Sequence, residues 1–236
     1  MAKRAFISHI GEEAEVAAKL KTALNRDFLQ LLEIFVSSDG ESISAGDEWL
    51  ASIDTAIRQS ALMLILCSPA SIRRPWINFE AGAAWMRQIT IVPLCHAGLT
   101  PKDLPAPLSF KQGILLTETR GLQRLYARIA KELDCAPPET SLQQLVAVLT
   151  ATSDKVSITD RDRDLLAADR GIKHRLDEAL RHKKFKWRAI QALAAAAGTS
   201  METAADLLRA DSAVRFSRAK SGNVIVGLRS RVGPGS

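Results

Sequence analysis

From its first residues the chain repeats one pattern: a short, continuously apolar run followed by a stretch whose apolar residues fall at helical spacing. "RAFIS" precedes a helix with Val16, Leu20 and Leu24 on one face, and "LEIFV" precedes one carrying Leu50, Ile53 and Ile57. "ALMLILC" leads into the helix of Trp76, then come "ITIVPLC" and "GILL", and a last helix bears Leu122, Leu125, Ile129 and Leu133. Strands with one wet face alternate apolar and polar residues, whereas strands covered on both faces are apolar throughout. Five such runs interleaved with helices therefore predict an α/β fold, a parallel sheet with helices on both sides.

A doubly wound sheet of this size commonly takes the strand order 2-1-3-4-5. Its ligands lie beyond the C-terminal ends of strands one and three, where the winding direction reverses. The loop after the first run is "SHIGEE", and "SPASIRRPWINFE" follows the third. Glu80 is thereby placed at the expected crevice by topology alone. Neither G-x-G-x-x-G nor G-x-x-x-x-G-K-[ST] occurs, which argues against an ordinary dehydrogenase or P-loop enzyme.

Charge divides the chain in two. Of the 32 Lys+Arg and 26 Asp+Glu, residues 1–160 hold 16 and 18 and residues 161–236 hold 16 and 8. Two modules with different surfaces are expected: a domain over 1–136, a linker with a short helix (Leu142–Leu149) over 137–158, and a basic domain over 159–236. Pro137 and Pro138 mark the junction. Cys67, Cys95 and Cys135 are odd in number and irregularly spaced, so neither a disulfide framework nor a metal site is expected. The longest apolar stretches are too short to span a membrane, and "MAKRAFISHIGEE" lacks a secretory h-region, so a cytoplasmic protein without a membrane partner is expected.

Residues 4 to about 133 resemble a Toll/interleukin-1 receptor (TIR) domain of the bacterial branch, a flavodoxin-like fold. "FISH" is similar to the first-strand box, "DGESISAGDEW" to the loop after strand two, and "LILCSPASIRRPWINFE" to the segment in which a Trp precedes a Glu by four residues. "FEAGAAW" and "IVPLC" add to the match, and the order and spacing of these short boxes make it specific. The resemblance implies that Glu80 is the essential glutamate of an enzyme cleaving NAD+ at the nicotinamide–ribose bond, with NAD+ as substrate and no cofactor. It also implies a role in defence against phage, through NAD+ depletion or a nucleotide signal.

The chemistry of that reaction suits a solitary acid. Ordinary glycosidases need two carboxylates because a sugar leaving group must be protonated. Nicotinamide in NAD+ is already cationic and leaves neutral, so one carboxylate can face the positive charge that builds on the ribose. Trp76 and Glu80, at i and i+4, share a helix face, and Pro75 suits the first helical position. Trp76 is read either as a wall beside the ribose or as core. The small run Ala81, Gly82, Ala83, Ala84 is expected to let the helix approach the sheet. Phe6, Ser8 and His9 at the end of strand one, and Ser68 after strand three, are candidates for lining the substrate. His9 stands where some NAD-cleaving relatives have Tyr, and the Arg that follows there is replaced by Ile10. It is read as a pocket residue or as an ordinary exposed histidine.

The segment Ser37 to Trp49 is polar, contains Gly40 and Gly46, and reads as a surface loop. In the family such a loop often reaches a neighbouring copy and completes the active site in an assembly. Asp39, Gly40, Glu41, Gly46, Asp47 and Trp49 are the candidates for that contact, and a homo-oligomer is expected. The alternative is a solvated loop with Asp47 and Glu48 near a helix dipole.

From Thr159 the order helix, helix, turn, helix, hairpin resembles the small winged-helix modules of bacterial proteins. Trp187, Ile190, Leu193, Leu207 and Leu208 are its expected core, and Ser221-Gly222-Asn223 its hairpin turn. Arg215, Arg218, Lys220, Arg229 and Arg231 make the hairpin basic. The presumed recognition helix instead carries Glu202, Asp206 and Asp211 against Arg209, a poor face for a polyanion, which favours a protein partner over nucleic acid. Three functions stay open on the residues: an assembly-gated NAD+ glycohydrolase or cyclase, a non-catalytic TIR scaffold, and a winged-helix nucleic-acid-binding regulator.

Overall fold

The computed structural model describes residues 3–37, 49–182 and 185–232, which form two units, the first comprising residues up to Leu104 and Lys111–Thr159 and the second Pro105–Phe110 and the residues from Asp160 on. Five apolar runs become five strands: β1 Lys3–Ser8, β2 Leu32–Val36, β3 Leu62–Cys67, β4 Thr90–Cys95 and β5 Ile114–Leu115. They pair in parallel in the order β2-β1-β3-β4-β5, as expected for a doubly wound sheet. The helices are α1 Ala14–Asp27, α2 Trp49–Gln59, α3 Pro75–Met86, α4 Thr119–Leu133 and α5 Leu142–Ser153.

Strand parity decides what each face carries, because successive side chains point to opposite sides. Ala5, Ile7, Leu62, Leu64, Leu66 and Leu94 pack with the apolar faces of α1, α4 and α5 in one core. The opposite parity, Phe6, Ser8, Met63 and Ile65, is buried towards α2 and α3, which contribute Ile53, Ile57, Ile77, Ala81 and Ala84. Each fully buried aliphatic side chain contributes roughly 1.5–3 kcal/mol relative to exposure. Of the small run in α3, Ala81 and Ala84 face the sheet, while a Cβ on Gly82 would meet nothing within 4 Å. Close approach therefore rests on the two alanines.

The segment 137–158, expected as a linker, is instead part of the first unit. Its helix, α5, runs to Ser153 rather than stopping at Leu149, and Leu142, Leu145 and Leu149 share the core of α1. The physical reason is that α1 leaves apolar surface which this amphipathic helix covers. Among the described residues no helix is long and apolar enough to cross a membrane.

The second unit runs α6 Asp160–Arg181, β6 Arg188–Ala189, α7 Ile190–Ala197, α8 Met201–Arg209, β7 Val214–Arg218, β8 Val224–Leu228 and α9 Arg229–Val232. Gly198 ends α7 at φ +64°, and Ser200 caps α8 by accepting the Thr203 N–H at 3.0 Å. Leu176, Leu180, Leu193, Ala197, Leu208 and Val226 form its core, with Ile190 and Leu207 partly buried against it; Trp187 is half-buried. The hairpin β7–β8 closes over residues 219–223 as expected. Arg188–Ala189, within the stretch "WRAIQALAAAAG" that reads in sequence as the second helix of this module, pairs antiparallel with Val226 and Ile225 and completes a sheet in the order β6-β8-β7. The unpaired side of β8 overrides local helix propensity there.

Candidate active site

Glu80 occupies the sixth position of α3, which Pro75 opens at N1. One turn earlier, Trp76 places its indole over the same face. The carboxylate is fully buried and both oxygens are held: Trp76 Nε1 donates to Oε1 at 2.8 Å, and Ser8 Oγ donates to Oε2. Ser8 lies on β1 with the parity that faces α3, so the acid is fixed between its own helix and the end of the first strand. Burial pushes its pKa from 4.5 to about 7, against the two hydrogen bonds, which favour the ionised form and pull it down. Each oxygen has a second lone pair. The Glu80 carboxylate therefore retains the capacity to accept further hydroxyl donors. Trp76 is only half-buried, so the acid lies one side chain beneath the surface.

The other candidates divide. Phe6 is fully buried on the same face of β1 as Ser8, two residues before it, and stacks on Phe35 with ring centroids 5.5 Å apart. His9 is buried rather than exposed; its Nδ1 lies 2.6 Å from Ile10 O, and its backbone N–H donates to Ser37 Oγ at 3.2 Å. Ser68 is fully buried but occupied locally: its N–H donates to Ser71 Oγ at 2.7 Å and its Oγ accepts the Ser71 N–H at 3.2 Å, which shapes the turn into α3. Trp76 stacks on Phe79 at 5.2 Å, and Phe79 is exposed. The loop residues Asp39, Gly40, Glu41, Gly46 and Asp47 lie outside the described residues; Trp49 opens α2, and its side chain is likewise outside them.

Two buried groups at this edge have no signal in the sequence. Glu13, in the short helical turn Gly11–Glu13 after β1, meets His96, just beyond β4, at 3.1 Å, and neither side chain is exposed. A carboxylate in "GEE" reads as a surface charge, and only the strand order brings the two together. Cys67 and Cys95 sit opposite each other in the β3–β4 register, fully buried. Burial pushes the Cys95 thiol to about 12 and that of Cys67 well above its usual value, so neither is a ready nucleophile. Among the described residues no cluster of three or more His, Cys, Asp or Glu is placed to hold a metal ion.

In the second unit, Arg231 donates to the carbonyls of Arg181 at 2.9 Å and His182 at 3.2 Å, and Arg229 to Val214 O at 3.2 Å. Arg229 is exposed, as expected of a basic surface, and also satisfies a backbone carbonyl; Arg231 is half-buried, its guanidinium turned to the carbonyls at the end of α6. Arg218 and Lys220 remain exposed on the hairpin.

A 2-1-3-4-5 parallel sheet with a buried carboxylate between the first strand and the third helix defines a flavodoxin-like domain with its polar centre at the topological switch point. Residues 5–126, a little over half of the chain, match the TIR domain family model, and the chain belongs to the TIR-domain family. Among solved structures it is similar to the TIR domains of the activated Roq1 resistosome directly recognizing the pathogen effector XopQ. That likeness covers 70% of this chain and 95% of that one at 12% identity, with a TM-score of 0.35. No curated protein matches.

Proposed function

We propose that the chain is an NAD+ glycohydrolase or cyclase with Glu80 as its single catalytic carboxylate. The observation that supports this most directly is a fully buried acid, held at both oxygens by Ser8 and Trp76, at a position where packing alone calls for an apolar residue. In the reaction the bond between ribose C1′ and the pyridinium nitrogen breaks, and the electron pair neutralises nicotinamide. Glu80 accepts hydrogen bonds from the ribose hydroxyls and faces the cation left on the sugar. Water then adds to C1′ and loses a proton to give ADP-ribose, or the other end of the molecule attacks to give a cyclic isomer. Trp76 holds the carboxylate and walls the ribose; Phe6 and His9 support the first strand end. Membership of the TIR family agrees with this reading.

Activity is gated by self-assembly through the segment Asp39 to Trp49, and the biological role is that of an anti-phage defence effector. The second unit is a winged-helix module that contacts a protein. The acidic residues Glu202 and Asp206 of α8 support this, as does the Asp206–Arg209 ion pair at 3.2 Å that occupies the helix's one arginine. Tight binding of duplex DNA at physiological salt would overturn that part.

The decisive experiment incubates purified protein at several concentrations with NAD+ and resolves the products by chromatography, alongside Glu80→Gln. The expected result is nicotinamide release whose rate per chain rises with concentration, with at least about a hundredfold loss in Glu80→Gln. Undiminished turnover by that variant refutes the catalytic assignment.

A further inference from the structure

The chain to be explained runs across three strand ends. His96 Nε2 meets Glu13 Oε1 at 3.1 Å, and Glu13 Oε2 accepts the Ile10 N–H at 3.2 Å. The His96 backbone N–H donates to Cys67 O at 3.0 Å, and two residues before Ile10 stands Ser8, whose hydroxyl donates to Glu80. Both Glu13 and His96 are fully buried. His96 Nδ1 is buried without a hydrogen-bond partner among the described residues, so the tautomer with its proton on Nε2, donated to Glu13, satisfies the arrangement best.

Stability does not account for this pair. Two buried polar side chains replaced by apolar ones of the same volume commonly leave a fold as stable or more so, because the desolvation cost disappears. What apolar side chains lack is direction. Glu13 ties the turn after β1 to the end of β4 by one oxygen and to the Ile10 N–H, three residues earlier, by the other. The opposite side of the same turn is tied to the residue just after β2, where the His9 N–H donates to Ser37 Oγ. The backbone between these anchors carries Ser8.

We propose that Glu13 and His96 are a positioning pair for the reaction centre: they hold the β1–α1 turn so that the Ser8 hydroxyl stays on Glu80. As a role in catalysis this rests on the NAD+-cleaving reading. As a statement about geometry it does not, and the test separates the two.

The Trp76 indole N–H donates to Glu80, so its nitrogen-15 resonance, assigned with Trp76→Phe, reports ionisation of that carboxyl without any substrate. In the unaltered chain the midpoint is expected at about 7. Ser8→Ala removes a bond to the ionised form and raises the midpoint by about one pH unit. His96→Leu raises it by a similar amount, and Glu13→Gln, which keeps the shape but offers one acceptor oxygen, raises it by less. His96→Gln, whose amide can donate to Glu13 from the same place, leaves it near the original value. The kcat/KM of His96→Leu should fall about fivefold at pH 7 and recover above pH 9, where Glu80 is ionised in every variant. A midpoint that Ser8→Ala moves but His96→Leu and Glu13→Gln leave in place overturns the inference, whatever the melting temperatures. If His96→Leu does not fold, Glu13→Gln and His96→Gln decide by the same readout. Failure to cleave NAD+ would sink the proposed reaction while the titration still judges the pair.

Discussion

Replacing Glu80 by Gln should make the fold more stable, and only at neutral and alkaline pH. In the unfolded chain the carboxyl releases its proton near 4.5; in the folded chain, at about 7. Between those values the folded state holds more protons than the unfolded one, so stability falls as pH rises through the window and levels off above it. The rise of the pKa corresponds, at 1.36 kcal/mol per unit, to about 3 kcal/mol of cost carried by the ionised acid at pH 8 and absent below pH 4.5. Glutamine has no proton to lose. Its carbonyl oxygen can accept from Trp76, and its amide can donate to Ser8, whose hydroxyl turns to accept. The difference in unfolding free energy between Glu80→Gln and the unaltered chain should therefore grow by about 3 kcal/mol from pH 4.5 to pH 8. Urea titrations followed by tryptophan fluorescence at intervals of half a pH unit measure this, since Trp49, Trp76 and Trp85 all lie in the first unit. Any constant effect of the substitution cancels in the pH dependence. A difference that is flat with pH, or one favouring the unaltered chain as pH rises, refutes the account of Glu80 as an acid held at a cost.

Three further outcomes follow from the same geometry. The acid limb of kcat/KM should have its midpoint near 7, and that of kcat should lie lower, because bound cationic substrate favours the ionised carboxylate; pH–rate profiles check both. Trp76→Phe keeps an aromatic wall but removes the N–H donor to Oε1, so the acid limb should move up and kcat/KM at pH 7 should fall roughly tenfold. Gly121→Ala would set a Cβ 1.9 Å from Leu115 O and should destabilise by about 1–3 kcal/mol, whereas Gly82→Ala, in open space within α3, should stabilise by up to about 1 kcal/mol; thermal melts of the two distinguish them.

How far the sequence carried these features depended on whether each was set by local pattern or by distant partners. The strands were legible because a doubly covered strand must be apolar throughout: "LEIFV" became β2 residue for residue, and the other runs shifted at their ends. Glu80 was legible twice over, from the switch point and from its i,i+4 relation to Trp76, and the hydrogen bond between them needs only helical spacing. Ser68 reads as a free hydroxyl, yet it is occupied by Ser71 three residues on, since a serine beside a turn bonds its own backbone first. Arg231 counts as positive surface charge until the end of α6 is seen to need capping, and Arg188–Ala189 reads as helix until β8 offers an edge. Glu13 and His96 lie 83 residues apart in sequence, and no periodicity links them. Their meeting is a property of the sheet order.

On the proposed reaction, the surroundings of Glu80 also limit what it can cleave. A carboxylate whose ionisation is disfavoured by burial gains most from a partner that brings positive charge, and NAD+ carries that charge on the leaving group itself. As the C–N bond stretches, the charge passes from the pyridinium ring to the ribose, and the same oxygens face it throughout. Reduced nicotinamide carries no such charge: its dihydropyridine would leave as an anion unless protonated, and at pH 9, well above its midpoint of about 7, Glu80 is ionised and has no proton to give. Among the described residues the groups that hold Glu80 are a serine hydroxyl and an indole, neither of which is an acid near neutral pH. At pH 9 NADH should therefore be cleaved at least about a thousandfold more slowly than NAD+, since the missing proton costs no less than a lost catalytic acid. Nicotinamide or dihydronicotinamide release measured by chromatography, with NADH freed of oxidised dinucleotide, is the check. Cleavage of both forms at comparable rates at pH 9 would require a second acid at this centre and would end the single-carboxylate mechanism.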